Sequence, residues 1–452
     1  MADPIQTKSG EPTLARRLGV FDATMIVMGG IIGGGIFRNP SEVARRVHSP
    51  DLALWAWAIG GGIALIGAFV YAELAALRPR VGGQYAYLRD AYRPMVAFLY
   101  GWTLLLVVQT GGMAAAAIIF GEYFQRLTGW GISTQVLAAS TLALLAIINC
   151  IGVKAGSNVQ SALMLTKLAA IVMLIVVGLT SPLAPAQATT SPEPSAGLVG
   201  LATAMVPVLF AYGGWQTASF VSGEMRDSRR DLPRGLLIGV VGVIVLYLTV
   251  SWVCQRVLGL GGLEQTQTPA SDVMSGALGE RGARLIALGI AVSTVGFLSQ
   301  SMLTAPRVYY AMARDGVFFS AVGKLNPRSR VPVIAIALQG AWAAAIALTG
   351  AYDQILNYVE AIDVLFFGLT GASLLIFRAR EQEGVVVADR IRVPGHPYTT
   401  IAFVAACWAV SLTTIIHRPQ SAGIGLIILL IGAVVFRFWR PRPEPELTVL
   451  SQ

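Results

Sequence analysis

A run of glycines inside a hydrophobic segment is the feature that most constrains this chain. The stretch from Met28 to Pro40 reads MGGIIGGGIFRNP and lies in a segment long enough to cross a bilayer. Glycine is a poor helix former, so we expect a continuous helix to break there. In lipid, irregular backbone persists only where protein buries it or where it lines a cavity. The break therefore predicts a binding site, with close helix packing through Gly30 and Gly34 as the alternative.

A second interrupted segment favours the binding-site interpretation. Residues Leu201 to Val221 carry Pro207 and then Gly213 and Gly214, again in the middle of a hydrophobic span. One broken helix at the head of each half is the pattern of secondary transporters built from inverted repeats. The predicted spans, about twelve of about 20 residues each, cover residues 20–46, 52–77, 95–121, 132–150, 159–180, 198–221, 236–258, 283–311, 332–350, 353–377, 398–416 and 421–439.

The composition supports a polytopic all-α membrane protein. The 452 residues are 55% hydrophobic and only 13% charged, which is too apolar for a soluble protein of this length. The first residues are polar, so no cleavable signal peptide is expected. Lys and Arg concentrate in loops on the side of the N-terminus, so the net charge of +9 indicates membrane topology with both termini cytoplasmic, not nucleic-acid binding. Cys150, Cys254 and Cys407 are widely spaced and predict neither a disulfide nor a metal site.

Several motifs resemble those of one transporter family. The segment IIGGGIF at 31–37 is similar to a first-helix motif of the amino acid-polyamine-organocation (APC) superfamily, and LFAYGGW at 209–215 is similar to the sixth-helix motif of its L-type (LAT) subfamily. Further matches follow in the family's order: YAEL at 71–74, GGQYAYL at 82–88, GVKAGSNVQ at 152–160, NYVEAIDVLFFG at 357–368 and IRVPGHP at 391–397.

The resemblance implies a LeuT-type fold, with two inverted five-helix repeats followed by two further helices. The chain then divides into a cytoplasmic tail (1–19), a first repeat (20–180), an inverted second repeat (198–377), a helix pair (398–439) and a cytoplasmic C-terminal tail (440–452). The polar stretch from Leu263 to Arg281 is a candidate lid over the outer mouth.

The two breaks offer a partner for each charged group of an amino acid. The N–H groups of Gly33, Gly34 and Gly35 precede a half-helix, whose positive end suits a carboxylate. Freed carbonyls suit the ammonium group, and the candidates are those of Ile31, Phe210, Ala211 and Gly213. Relatives often carry Ser or Thr where this chain has Gly34, so here the carboxylate would depend on backbone donors alone.

Residues around the second break are candidates for the pocket walls. In the family, the aromatic at Phe210 lies over the substrate and gates the outer path, whereas an isolated Phe in a span is ordinarily core. Trp215 and Gln216 follow and are candidates for the pocket lining, and the small Thr217 leaves the pocket size open.

Lys167 is a charge deep in the fifth predicted span, about 12 Å from its start at Val159. One interpretation is that its stem snorkels to the surface. The resemblance favours another, in which its ammonium group replaces the sodium ion of related symporters and touches the first break and the eighth helix. Ser301 is the candidate partner on that helix.

Two acids in the tenth span, Glu360 and Asp363, stand where relatives usually have uncharged residues. They lie one helical turn apart. Three roles are open: a proton relay, a partner for a cationic substrate side chain, or a structural ion pair. At the cytoplasmic ends of spans, Glu73, Glu224 and Arg226 are candidates for inner-gate salt bridges.

Other functional classes fit less well. The three histidines fall in predicted loops, and no nucleophile elbow, phosphate-binding loop or zinc-protease motif is present, which argues against an enzyme. No cofactor is expected. The predicted outer loop Gly121 to Ser133 lacks the cysteine that animal relatives use to bind a heavy chain, so no covalently linked partner is expected in a bacterial inner membrane. The favoured function is sodium-independent exchange of neutral L-amino acids, with proton symport and non-transporting amino acid sensing as alternatives.

Overall fold

The computed structural model describes residues 14–182, 194–349, 352–381, 391–417 and 419–439, without the side chains of 126, 352–361, 414, 417, 419–422 and 424. These residues form sixteen α-helices: α1 Val20–Ile31, α2 Asn39–Val47, α3 Pro50–Leu77, α4 Gln84–Ala91, α5 Pro94–Thr103, α6 Gln109–Thr128, α7 Thr134–Ile151, α8 Val153–Thr180, α9 Gly197–Tyr212, α10 Asp231–Gln265, α11 Pro269–Thr304, α12 Pro306–Arg314, α13 Val333–Thr349, α14 Tyr352–Glu381, α15 Tyr398–His417 and α16 Pro419–Phe436.

The described part of the chain is a helical membrane protein. Eight of its helical stretches are long and apolar enough to cross a bilayer, and four shorter apolar helices accompany them: Val20–Ile31, Val333–Thr349, Tyr398–Thr413 and Gly425–Phe436. Outside the helices, the backbone of Leu18 pairs with that of Met225 in a single parallel bridge. The sequence-based expectation of a polytopic all-α protein is therefore confirmed.

Both predicted breaks are present. The first hydrophobic segment ends as α1 at Ile31, resumes as a short 3₁₀ helix at Gly35–Phe37, and continues as α2. The second ends as α9 at Tyr212 and resumes as a 3₁₀ helix at Trp215–Glu224. Because Pro40 occupies the first turn of α2, where an N–H would have no helical acceptor, it fits the restart of the helix.

Long helices enclose the broken ones. The helix α1 packs against α10, α8 and the Trp215–Glu224 segment, while α2 packs against α9 and α10. Around them, α8 lies along α11, α3 along α10, and α14 along α15. Packing by these neighbours allows irregular backbone to sit inside the bundle, because protein atoms and not lipid surround it.

Two predicted segments belong to longer helices. The fifth predicted span, from Val159, lies within α8, which starts at Val153, so Lys167 lies about 21 Å from the start of the helix. The stretch Leu263 to Arg281 is largely helical, forming the end of α10 and the start of α11, with a kink at Gly279, whose φ is 61°. The tails at 1–13 and 440–452, and most of the linker between the two halves, lie outside the described residues.

Candidate functional site

The first break leaves backbone donors beside open space. A Cβ atom placed on Gly33 or Gly34 would have no heavy atom within 4 Å. Gly33 N–H donates to the Ile31 carbonyl at 2.9 Å, whereas no acceptor within the described chain meets the N–H groups of Gly34 and Gly35. Free N–H groups at the start of a helical segment form a site for an anionic group. Of the three predicted carboxylate donors, Gly34 and Gly35 are thus open in this conformation.

The second break meets the first through glycine backbone. Gly214 has φ of 105°, a conformation that other residues adopt with difficulty. A Cβ atom there would lie 2.1 Å from the Gly30 carbonyl oxygen, and one on Gly30 would lie 2.5 Å from the Gly214 carbonyl oxygen. The two interruptions can therefore touch only because both positions lack side chains.

The predicted ammonium ligands differ in availability. The Ile31 carbonyl accepts from Gly33 N–H at 2.9 Å and from the Tyr247 hydroxyl at 3.1 Å, and the Phe210 carbonyl accepts from Gly213 N–H at 3.2 Å. Among the described residues, no donor reaches the carbonyls of Ala211 and Gly213. These two are the open acceptors, and a Cβ on Gly35 would lie 3.7 Å from Ala211 Cα, which places donors and acceptors side by side.

Trp215 and Gln216 support the second break from inside the packed bundle. Gln216 is 5% exposed, and its Oε1 accepts from Gly214 N–H at 3.0 Å. Trp215 is buried against Tyr71, with ring centroids 4.7 Å apart, and against Phe367. The structure therefore places these two predicted pocket residues in supporting positions away from the opening.

Phe210 lies near the end of α9 with 47% of its surface exposed. An aromatic ring with this exposure is not close-packed on all sides, unlike a side chain of the protein core. Its location next to the open carbonyl of Ala211 is compatible with the predicted gate.

Lys167 does not snorkel. Its side chain is fully buried, and its Nζ donates to the Ile32 carbonyl at 2.5 Å and to the Gly29 carbonyl at 3.5 Å. The stem runs against Gly296 of α11, where a Cβ would lie 2.8 Å from Lys167 Cε. The ammonium group thus binds carbonyls that the first break frees, in the manner of a bound cation.

Ser293 of α11 reaches the first break. Its hydroxyl donates to the Gly33 carbonyl at 3.1 Å. The predicted partner Ser301 lies fully buried elsewhere, where its hydroxyl bonds Gln300 and its carbonyl accepts from Gln339 at 3.0 Å. Within the described chain, the Lys167 ammonium group has no hydrogen bond to either serine.

Sequence reasoning also missed a group of polar side chains that support the breaks. Gln160 donates to the Met25 carbonyl at 2.7 Å, and Gln300 donates to the Thr217 hydroxyl at 2.5 Å, which in turn donates to the Gly214 carbonyl at 2.6 Å. Their signal is a polar side chain inside an apolar span, which is costly unless it is satisfied. Tyr247 belongs to the same group through its bond to Ile31.

The half-helices α2 and α9 are tied together on the far side from the N-terminus. Pro207 has no N–H, so the Thr203 carbonyl one turn earlier lacks its helical donor, and Arg46 of α2 supplies one at 2.6 Å. Asn39 of α2 also donates to the Pro207 carbonyl at 2.8 Å. These bonds link α2, the second part of the first interrupted segment, to α9, the first part of the second interrupted segment.

A fully buried ion pair joins the Trp215–Glu224 segment to α12 on the N-terminal side. Glu224 and Arg307 are both fully buried and lie 2.9 Å apart. The backbone N–H groups of Arg17 and Leu18 donate to the Glu224 carbonyl, and Arg226 N–H donates to the Leu18 carbonyl. The predicted gate acid Glu224 therefore has a partner, whereas Arg226 contributes through its backbone.

Two further acids form ion pairs on the same side. Asp22 of α1 accepts from Lys154 at 2.7 Å and from the Ser157 hydroxyl at 2.8 Å. Glu73 binds Arg378 at 2.7 Å and accepts from Val393 N–H at the same distance. Nearby, burial and then the charge of Arg378 lower the pKa of the His396 imidazole, which keeps that ring neutral around neutral pH.

Asp363 lies on α14 facing buried polar groups. It lies in the vicinity of the hydroxyls of Tyr71 and Tyr100 and of the thiol of Cys407. Neither tyrosine hydroxyl has a hydrogen-bond partner in the described part of the chain, and no ion pair to Asp363 occurs there. The side chain of Glu360 lies outside the described residues, so its predicted role stays a prediction.

Two broken helices meet at a backbone-lined opening inside a bundle of membrane-length helices. This arrangement is typical of a membrane transporter. Residues 18–436 match the family model described as amino acid permease. The chain belongs to this family, within the L-type branch of the APC superfamily, and it is a multi-pass membrane transporter, not an enzyme.

Three relatives illustrate the relationship. The chain is 30% identical over 430 residues to the serine/threonine exchanger SteT of Bacillus subtilis, covering 94% of this chain and 96% of that protein. It is 29% identical over 470 residues to human large neutral amino acids transporter small subunit 2, covering 98% and 85%. It is 28% identical over 452 residues to human Asc-type amino acid transporter 1, covering 95% and 84%.

Proposed function

We propose that this protein exchanges neutral L-amino acids across a bacterial inner membrane without sodium. The open N–H groups of Gly34 and Gly35 beside the open carbonyls of Ala211 and Gly213 carry the proposal. The first pair would bind the substrate carboxylate and the second pair its ammonium group. Two relatives support the substrate class, one a serine/threonine exchanger and the other a transporter of large neutral amino acids.

Sodium independence follows from Lys167. Its ammonium group already binds the carbonyls of Ile32 and Gly29, which are the kind of oxygen ligands that a metal cation would need at the first break. A second cation on the same oxygens would face a like charge at close range in a buried site. Ser293 adds a contact from α11 to the same break, through the Gly33 carbonyl.

The proposed topology has twelve spans arranged as two inverted repeats plus a final pair, with both termini in the cytoplasm. The eight long apolar helices and the four shorter ones supply that number, and the distribution of Lys and Arg supports the orientation. On this topology the Glu224 and Arg307 pair closes the inner path, while Phe210 faces outward. The described conformation then represents an outward-facing state that alternates with an inward-facing one.

Alternating access would move α1 and the Trp215–Glu224 segment away from α8 and α12. The contacts that must break are the Asp22 to Lys154 pair and the Glu224 to Arg307 pair. The α2 and α9 halves, joined through Asn39 and Arg46, would move as one unit on the outer side. No covalently linked heavy chain is proposed, because the outer loop around 121–133 contains no cysteine.

Proton-coupled uptake is the second candidate function, and Asp363 favours it. A carboxyl group among tyrosine hydroxyls that lack partners is suited to bind a proton or a cationic group. If proton coupling operates, the Asp363→Asn variant loses the dependence of uptake on an imposed proton gradient. If exchange operates, the same variant keeps a substantial exchange rate.

Transport into proteoliposomes tests the proposal. Purified protein is reconstituted without sodium, and uptake of a panel of labelled L-amino acids is measured with and without unlabelled amino acid inside, at zero and imposed proton gradients. Exchange predicts uptake that requires internal amino acid and is insensitive to sodium. Uptake into empty vesicles that follows the proton gradient would replace exchange with symport, and binding without any uptake would indicate a sensor.

A further inference from the structure

A basic cavity lies on the N-terminal side, separate from the substrate opening. Its volume is about 510 Å³, and three parts of the chain form its walls. These are the residues just before α1, the junction between α7 and α8, and the loop that precedes α13. No residue of either helix break lines it.

The charge of this cavity is one-sided. Arg17, Lys154, Arg328 and Arg330 line it, and no acidic residue does. Lys154 is paired with Asp22, whereas the side chains of Arg17, Arg328 and Arg330 have no ion pair within the described chain. The hydroxyl of Ser329, also in the lining, is buried without a hydrogen-bond partner. Unpaired guanidinium groups around a buried hydroxyl favour a phosphate group, which binds arginine with two oxygens at once.

An apolar stripe leads into the same cavity. Leu144, Ile147 and Ile151 lie on one face of α7 and are 58%, 63% and 66% exposed. Their spacing of three and four residues places them in a row along a membrane-length helix, and Ile151 is itself part of the cavity wall. An apolar row that ends at a cluster of guanidinium groups matches a phospholipid. The row suits its acyl chain, and the guanidinium groups suit its phosphate headgroup.

We propose that this cavity binds the phosphate headgroup of an anionic membrane phospholipid, with an acyl chain along the Leu144 to Ile151 face of α7. The proposal depends on the basic walls and the apolar stripe together, because a free phosphate ion would use only the former. Juxtamembrane arginines attract anionic lipid on general electrostatic grounds, and the cavity adds a fixed position for the headgroup.

The bound lipid would stabilise the closed N-terminal side. Arg17 N–H donates to the Glu224 carbonyl at 2.9 Å, and Lys154 binds Asp22 of α1 at 2.7 Å, so one wall belongs to the elements that close this side. The other wall, with Arg328 and Arg330, belongs to the loop before α13. A headgroup that bridges both walls binds the closed arrangement better than one in which α1 has moved, and it therefore shifts the equilibrium toward closure.

Lipid binding to the purified full-length protein tests this site. Delipidated protein in detergent is titrated with phosphatidylglycerol, phosphatidylcholine or inorganic phosphate, and bound lipid is counted by native mass spectrometry while the Tm is recorded. The test variant is Arg328→Gln with Arg330→Asn, since Arg330 has φ of 54° and Asn tolerates that conformation. The matched control is Arg229→Gln with Arg230→Gln, which removes two exposed arginines from another loop on the same side.

We expect phosphatidylglycerol to be retained and to raise the Tm of the wild type and of the control. The test variant should lose affinity for it by about tenfold or more. Equal loss of affinity in the test and control variants would show that general surface charge causes the effect. That result would overturn the proposed site. A Tm rise with inorganic phosphate as large as that with the lipid would overturn the lipid assignment, as would equal retention of phosphatidylcholine.

Discussion

At the scale of single residues, Lys167 determines the chemistry of the first break. Burying an ammonium group is costly, and here the carbonyls of Ile32 and Gly29 compensate for lost hydration. Removing the charge leaves two buried acceptors without a donor, at about 1–3 kcal/mol each. The residue is therefore part of the structure of the break, as well as of the sodium independence that we propose.

The Lys167→Met variant should lose sodium-independent exchange by about tenfold or more, since the unsatisfied carbonyls change the geometry of the break. The measurement is the initial exchange rate in proteoliposomes, normalised to the amount of folded protein. Thr166→Val, on an exposed position of the same helix, is the control and should retain its rate. Exchange at the wild-type rate in Lys167→Met would remove this lysine from the mechanism.

Gly214 is the second residue-scale constraint. An alanine there would be strained at φ of 105° and would place its Cβ 2.1 Å from the Gly30 oxygen. We expect Gly214→Ala to lower the Tm and abolish exchange. Gly62→Ala, where a Cβ meets no atom within 4 Å on a regular helix, should be neutral or slightly stabilising. Similar behaviour of the two variants would show that the breaks do not touch.

At the scale of elements, a proline and an arginine act together to join α2 to α9. Arg46 supplies the donor that Pro207 cannot give to the Thr203 carbonyl. In the Pro207→Ala background, the backbone N–H at position 207 can donate to the Thr203 carbonyl. Arg46→Met should therefore lower stability by about 1 kcal/mol more in the native background than in Pro207→Ala. A double-mutant cycle of denaturation midpoints measures this difference, and strict additivity would contradict the link.

The breaks were predictable from the sequence because glycine and proline act locally, through backbone conformation and missing donors. The direction in which each side chain points was not predictable from the sequence. Ser293 and Ser301 lie on one helix, and which of them meets Gly33 depends on how α11 rotates against α1. Similarly, Gln216 turns inward to hold Gly214, which no pattern along the chain encodes. Helix rotation and side-chain direction are tertiary properties, so a pattern along the chain predicts the elements of a candidate site but not the contacts of its side chains.

At the scale of the whole molecule, we expect buried charge to set the balance between the two proposed conformations. Glu224 and Arg307 are both fully buried, and losing one partner leaves an uncompensated charge at about 3–5 kcal/mol. Glu224→Gln should therefore open the N-terminal side, as measured by labelling of a cysteine introduced at Ser222. The double variant Glu224→Gln with Arg307→Met should recover much of the closure. Glu280→Gln, in an exposed pair, is the control and should leave labelling unchanged.

The central claim is that backbone N–H groups at the first break bind the substrate carboxylate. Gly34 has φ of −78°, which proline can adopt, and open space surrounds it. Gly34→Pro removes its N–H and suits its φ, while Gly34→Ala keeps the N–H and adds a smaller side chain. The decisive measurement is equilibrium binding of labelled L-serine to both variants and the wild type in sodium-free buffer. The account predicts affinity near the wild-type value for Gly34→Ala and a loss of about tenfold or more for Gly34→Pro. Equal affinity in the two variants would contradict it.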